Sequence, residues 1–192
     1  MKSIKDNAIT LVLKRVVKFC TPALLIALPL GSAFAQASRR AQKEQTHFGA
    51  EVRIRTPVEI PTDILSILRE DKHNQTCLKA GESPANIPGS WFVASRIRLN
   101  GDRFGDFVIT ARNDCLLGAN IVPFWIFRTT RKGHELILSV SALGLDVLKT
   151  KTNNYRDIRA AAATAQRVHT TVLKFNGEQY RIQKHRSRSD GN

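Results

Sequence analysis

The sequence lacks the local signatures of common catalytic sites. It contains no G-x-S-x-G motif, no Walker loop, no H-E-x-x-H motif and no glycine fingerprint for a dinucleotide. Its five histidines are far apart, and none has the spacing of metal ligands. Asp102 and Asp106 could form a carboxylate pair for acid-base hydrolysis, but we interpret them as solvated turn residues. The sequence therefore predicts a non-enzymatic protein without a metal site or cofactor.

A long uninterrupted apolar segment is also missing. The stretch TPALLIALPLGSAFA is broken by Pro22 and Pro29 and is shorter than the roughly 20 residues of a membrane-spanning helix. It follows a basic segment and ends in Ala33-Phe34-Ala35, which fits the small-x-small rule for signal cleavage. We therefore predict a signal peptide over residues 1–35. The product would be periplasmic or secreted, with no membrane span.

Cysteine is scarce, with three residues in the chain. Cys20 lies in the predicted signal peptide, which leaves Cys77 and Cys115. In an oxidising compartment an isolated pair is most simply a disulfide, and two buried thiols are the alternative. Closing this loop of 38 residues would contribute about 4 kcal/mol in the chain-entropy model. Neither cysteine lies in a C-x-x-C motif, so neither interpretation is catalytic.

Acidic residues are few beside the basic ones, 16 against 30. Without the five basic residues and one aspartate of residues 1–35, the chain keeps 25 basic and 15 acidic residues, a net charge of +10. Such an excess favours anionic partners through long-range attraction. Export argues against intracellular nucleic acid and leaves an acidic envelope protein or an anionic polymer. A cationic surface that only keeps the protein soluble is the alternative.

About 157 residues follow the predicted signal peptide, enough for one domain with a proper core. Residues 36–47 are polar and predict a flexible basic leader, and residues 186–192 predict a disordered tail. Between them, residues 48–185 predict a single α+β domain. Its main element is an antiparallel sheet, a meander of about six to eight strands, with one short helix packed on it.

Alternating apolar residues predict the strands of this sheet. In WFVASRIRL, one face would carry Trp91, Val93, Ile97 and Leu99, and the other Arg96 and Arg98. The run PFWIFR is apolar on both faces, which predicts a central strand with FVITAR and ELILSV beside it. Lys132-Gly133 and Asn176-Gly177 predict hairpin turns.

Two segments have less regular patterns. Residues 62–71 predict a helix with Thr62 as its N-cap and an apolar stripe on one side. The alanines of residues 160–167 favour a helix, whereas their position between strands favours extended structure. We interpret that segment as extended.

The loop from Arg98 to Asp106 resembles the calcium loop of FG-GAP and VCBS-type repeats. Asn100, Asp102 and Asp106 match ligand positions of that pattern. In those families, closely spaced oxygen ligands bind calcium around a sharp glycine turn. Here Arg98 occupies the first ligand position and Arg103 the glycine position, which removes a carboxylate and adds positive charge. We therefore interpret the loop as a hairpin turn.

A longer pattern is similar to a family of uncharacterised secreted bacterial proteins. It consists of CLLGANIVPFWIFR, YRDI at residues 155–158 and KFNGEQYR at residues 174–181. The resemblance covers much of the domain and implies its class, but it implies no activity.

Two groups of basic residues are candidate binding sites. The first stands in a hairpin beside an aromatic strand and would contact an acidic protein. The second would contact phosphates or sulfates of a polyanion, with Phe92 or Trp125 stacking. The first group is Arg128, Arg131, Lys132 and His134; the second is Arg96, Arg98 and Arg103.

These features predict an exported binding or inhibitor-like protein of the bacterial envelope. Its partner would be an acidic protein or a cell-wall polymer. Non-specific polyanion binding is the alternative, followed by hydrolysis. A charged turn that only remains solvated is an equally simple interpretation of the first group.

Overall fold

We describe a computed structural model of the chain, in which residues 44–119, 121–163 and 168–182 are described. The predicted signal peptide, most of the predicted leader and the predicted tail lie outside these ranges. None of the helices within these ranges is long and apolar enough to cross a membrane.

The described chain is mostly antiparallel β-sheet, as the sequence predicts. Sheet 1 has the strand order β1-β7-β8-β9-β10 and sheet 2 the order β2-β3-β4-β5-β6. Every pairing is antiparallel. The strands are β1 (His47–Gly49), β2 (Pro57–Val58), β3 (Phe92–Ile97), β4 (Asp106–Ala111), β5 (Val122–Thr130), β6 (Gly133–Ala142), β7 (Gly144–Thr152), β8 (Tyr155–Ala163), β9 (Val168–Phe175) and β10 (Tyr180–Ile182).

The prediction of a single sheet of six to eight strands differs from the structure in detail. Ten strands form two five-stranded sheets, and the chain crosses from one sheet to the other at Leu143, between β6 and β7. At this crossing β1 lies close to β7, since a Cβ on Gly144 would be 3.1 Å from the carbonyl oxygen of Phe48. The short β1, which the sequence pattern does not predict, lies at one edge of sheet 1. The short β2 lies at one edge of sheet 2, within the segment VRIRTPVEI, whose pattern predicts a short edge strand.

Two apolar layers hold these elements together. The first lies between the sheets and includes Val108, Phe124, Leu145 and Ile158, all fully buried or nearly so. The second lies on the other face of sheet 2, beneath the helix α1 (Thr62–Glu70). Sheet 2 is therefore covered on both faces, which explains why its strand β5 is apolar on both faces. The prediction that β5 lies between β4 and β6 is confirmed.

The alternation of β3 is confirmed for most of its residues. Val93, Ile97 and Leu99 pack in or against the layer between the sheets, and Arg96 and Arg98 are exposed. Trp91 is an exception, since it packs against the second layer. The prediction for Trp91 was wrong because this residue ends a short 3-10 turn, where the period of two has not yet begun.

The predicted helix is present, but its cap is not the predicted one. Pro61 is the N-cap, without a side-chain cap hydrogen bond, and Thr62 is the first helical residue. Asp71 then begins a second, short helix, α2 (Lys72–Gln75), by accepting a hydrogen bond from the backbone of His73. Asp71 also accepts a hydrogen bond at 2.8 Å from Nε1 of Trp125, which fixes the helices on the sheet.

The disulfide and the hairpins follow the sequence predictions. Cys77 and Cys115 are bonded, with a Cα–Cα distance of 5.9 Å. The bond ties the segment after α2 to the 3-10 turn after β4. Gly133 has a φ of +124°, which favours glycine, where the β5–β6 turn ends. The segment from Ala160 is extended as far as Ala163, and residues 164–167 lie outside the described ranges.

Candidate functional site

Four hairpin connections meet at one end of the two sheets. In sheet 2, the loop between β3 and β4 lies beside the β5–β6 turn, because Thr129 Oγ1 donates to the carbonyl oxygen of Gly105 at 2.7 Å. In sheet 1, the β7–β8 turn contacts the β9–β10 connection through a 2.8 Å hydrogen bond from Asn153 Nδ2 to the Phe175 carbonyl. Asn100 Nδ2 joins the two groups by donating to Tyr155 Oη at 3.2 Å.

Asp106 fixes the geometry of this end. Its two carboxylate oxygens accept 3.0 Å hydrogen bonds from the backbone N–H groups of Leu99 and Thr129. Burial raises the pKa of Asp106, and these two hydrogen bonds oppose the rise. The interpretation of Asp106 as a solvated turn residue was wrong, because its side chain is fully buried. Its oxygens are occupied by backbone donors, so they do not face a substrate together with Asp102.

The loop resembling a calcium site closes on itself. Asn100 Nδ2 donates to one oxygen of Asp102 at 2.7 Å, and the Phe104 N–H donates to the other at 2.7 Å. Gly101, with a φ of +83°, makes the turn. Within residues 44–119, 121–163 and 168–182, no group of three or more His, Cys, Asp or Glu side chains is placed to hold a metal ion.

Five of the seven predicted binding residues lie exposed at this end. A sixth exposed cation, which the sequence analysis missed, comes from β7: Lys151 Nζ is 3.8 Å from the position of a Cβ on Gly101. None of the six forms an ion pair with a carboxylate of the described ranges. We call this end of the two sheets the hairpin end. Its six exposed cations are Arg96, Arg98, Arg103, Arg131, Lys132 and Lys151.

Arg128 lies at the same end but is engaged within the protein. Its guanidinium contacts Glu135, with Nε to Oε2 at 2.7 Å, and donates to the Gly177 carbonyl at 3.3 Å. Burial lowers the pKa of Arg128, but the hydrogen bond and charge of Glu135 more than offset this and raise it. Arg128 therefore joins the two sheets, and its charge is already balanced.

His134 is also engaged within the protein. Its Nδ1 is 2.7 Å from Oδ2 of Asp63, which ties the β5–β6 hairpin to the start of α1. Its ring packs edge-on against Phe107, and the guanidinium of Arg96 lies over the same ring. Within the described ranges no hydroxyl or thiol donates to His134. The pair has the geometry of a structural contact between helix and hairpin.

The prediction that Phe92 or Trp125 stacks on a bound polyanion was wrong. Phe92 is 4% exposed and Trp125 is 1% exposed, and the two rings pack edge to face beneath α1. Phe104 and Tyr155 are partly exposed aromatic residues at this end, and the Arg103 guanidinium lies over the Phe104 ring. A partner at this end would therefore meet mainly guanidinium and ammonium groups.

Arg98 is held in position through its backbone. Its N–H donates to the carboxylate of Glu44, which also accepts a 2.8 Å hydrogen bond from Arg156 Nη1. Arg156 donates further to the carbonyl oxygens of Val147 and Leu148. Because Glu44 is 112 positions from Arg156, sequence spacing gave no signal for this contact.

At the opposite end of sheet 2 lies a groove of about 650 Å³. Residues 49–57 form one wall, and the ends of β3 and β4 with Leu117 form the other. Arg53, Arg55 and Arg112 line it. These arginines are not among the predicted binding residues, although the alternation of valine, isoleucine and arginine in residues 52–55 is typical of a strand with one apolar and one basic face.

In comparisons with known proteins, the sequence matches no family model and no curated protein, and the structure matches no solved structure.

Proposed function

We propose that this chain is an exported, non-enzymatic binding or inhibitor-like protein that engages an acidic protein of the bacterial envelope through the hairpin end. The observation that supports this proposal is the meeting of six exposed cations, from both sheets, without carboxylate partners among the described residues. The disulfide is compatible with an oxidising compartment.

The geometry favours a specific contact over a mobile charged tail. Arg96 and Arg103 each lie over an aromatic ring, at 5.1 Å from its centroid. The loop that carries Arg98 and Arg103 is fixed by Asp106, so little conformational freedom would be lost on binding. Charges held in this way steer an acidic partner during association and select its orientation.

Affinity capture with charge-reversal variants tests the proposal. The purified, oxidised protein is immobilised and exposed to an envelope extract at physiological and at high salt. One acidic protein should be retained through both washes. The double variant Arg131→Glu, Lys132→Glu should lose it, since both side chains are exposed in a turn and the fold should persist.

The double variant Lys72→Glu, Lys79→Glu is the matched control. It has the same net charge but changes exposed lysines on and after α2, away from the hairpin end. Equal loss of the partner in both variants would contradict a specific site. Thermal unfolding of each variant separates loss of contact from loss of fold.

Non-specific polyanion binding is the second candidate. Arg96 near the end of β3 and Arg98 just after it are both exposed and lie two positions apart, a spacing that can follow a row of phosphates or sulfates. Binding of this kind weakens steeply as ionic strength rises. Capture of nucleic acid, glycan or lipid alone, released by high salt and weakened alike in both double variants, would favour this candidate over the first.

A further inference from the structure

The groove opposite the hairpin end opens onto the core. Ile54 and Val122 line it and belong to the apolar layer between the sheets, and Val93 packs against that layer. Its volume of about 650 Å³ lies within the range of roughly 300–1,000 Å³ of small-molecule sites. An apolar chain in the groove would therefore extend the layer between the sheets.

The rim of the groove is cationic. Arg53, Arg55 and Arg112 are exposed there, and Glu51 is the carboxylate among the lining residues. None of these four side chains forms an ion pair within the described part of the chain. An anionic group at the rim would thus meet guanidinium donors, which bind carboxylates well.

The wall that carries two of these arginines is held in place. Gln45 is buried, and its Nε2 donates to the Arg53 carbonyl at 3.3 Å. Its Oε1 accepts from the Arg55 N–H at 2.9 Å. These bonds fix the backbone of both arginines before a ligand arrives, which lowers the entropy lost on binding.

Thr110 supplies an independent sign of a ligand. It lines the groove, is 9% exposed, and its Oγ1 has no hydrogen-bond partner within the described residues. It lies two positions before Arg112, so both side chains leave the chain on the same side. A buried hydroxyl without a partner destabilises the free protein. Because this Oγ1 is enclosed, a ligand carboxylate beside Arg112 would accept its hydrogen bond after a local shift of the groove wall.

We propose that this groove binds a fatty-acid-like anion, a carboxylate carried on a single apolar chain. The carboxylate lies among Arg53, Arg55 and Arg112, and the chain lies over Val93 and Val122. An uncharged lipid would leave the arginines without an anion. This site is separate from the hairpin end.

Calorimetric titration of the purified, oxidised protein tests the proposal. The probe is dodecanoate, below its micellar concentration. It should bind with one molecule per chain. Acetate, which lacks the chain, and dodecanol, which lacks the charge, should each bind at least about tenfold more weakly. Acetate binding as well as dodecanoate, or many dodecanoates binding per chain, would overturn the proposal.

Two variants locate the binding. Arg112→Ala should weaken dodecanoate binding about tenfold or more, since it removes charged donors. Arg181→Ala removes an exposed arginine of β10, outside the groove, and should leave binding unchanged. Leu117→Ser changes an exposed apolar residue of the rim and should weaken dodecanoate but not acetate. Equal affinities of Arg112→Ala and Arg181→Ala for dodecanoate would place the probe elsewhere.

Discussion

Two threonines of sheet 2 show that the same type of side chain can have opposite effects on stability. Thr129 Oγ1 donates to the Gly105 carbonyl at 2.7 Å and so joins two hairpins. Thr110 Oγ1 is buried and unpaired within the described residues. A hydrogen bond made in the folded protein makes a net stabilising contribution, whereas an unpaired buried hydroxyl destabilises the protein. The hydroxyl of Thr129 is therefore stabilising and that of Thr110 destabilising. Thr129 supports the hairpin end, whereas Thr110 belongs to the groove.

Thr110→Val should raise the free energy of unfolding of the ligand-free protein by about 1 kcal/mol, because valine has a similar shape and no hydroxyl to leave unpaired. Thr129→Val should lower it by about the same amount, since a made hydrogen bond is lost. Urea unfolding of both variants beside the parent protein measures the two changes. A loss of stability in Thr110→Val would show that its hydroxyl has a partner.

At the scale of elements, the contact between α1 and the β5–β6 hairpin depends on a pair far apart in the chain. Asp63 and His134 are separated by 71 positions. Burial alone would raise the pKa of Asp63, but the hydrogen bonds from His134 and from the Ile64 N–H lower it below the ordinary value of 3.8. The ionised carboxylate is therefore favoured in the folded state.

Asp63→Asn should make the protein less stable near neutral pH. A carboxyl group with a lowered folded-state pKa stabilises the protein above its unfolded-state pKa, and this contribution disappears as the pH falls below 3.8. The free energies of unfolding of parent and variant should therefore converge in acid. Unfolding curves from neutral pH to pH 2 provide the measurement.

Glu70→Gln is the control for this comparison, because Glu70 is an exposed carboxylate of the same helix with no ion pair among the described residues. Its difference from the parent protein should be small at every pH. A pH-independent difference in Asp63→Asn would mean that the carboxylate charge is unimportant for the contact.

At the scale of the whole molecule, the two sites lie at opposite ends of sheet 2. The hairpin connections carry exposed cations at one end of the sheet. The groove opens between the sheets at the opposite end. The disulfide lies near the groove, since Cys115 is two positions from the rim residue Leu117. It links the helical layer to the end of β4.

Replacing Cys77 and Cys115 by alanine should lower the free energy of unfolding by about 4 kcal/mol. The reason is that the unfolded chain regains the conformational freedom that closing a loop of 38 residues removes. Chemical denaturation of the variant and of the parent protein gives the value. The parent protein under reducing conditions should unfold like the variant. An unchanged unfolding midpoint after reduction would contradict a stabilising disulfide.

The sequence by itself determined most of the local elements and favoured the disulfide. Asn-Gly and Lys-Gly turns between alternating apolar segments require antiparallel hairpins, and the apolar stripe of residues 64–68 requires a helix with one buried face. The pairing of Cys77 with Cys115 was favoured over two buried thiols because no other cysteine remains after the predicted cleavage, and the structure shows the bond. These signals are local or depend only on residue type.

Only the tertiary structure decided where the faces and charges go. A period of two tells which residues share a face, but not which apolar layer that face contacts, so the division into two sheets and the contact of Trp125 with the helical layer could not be predicted. Arg128 and His134 resembled free cations until the fold brought Glu135 and Asp63 to them. Whether a charged side chain is paired within the protein or available to a partner depends on contacts between distant segments. No spacing rule in the sequence predicts those contacts.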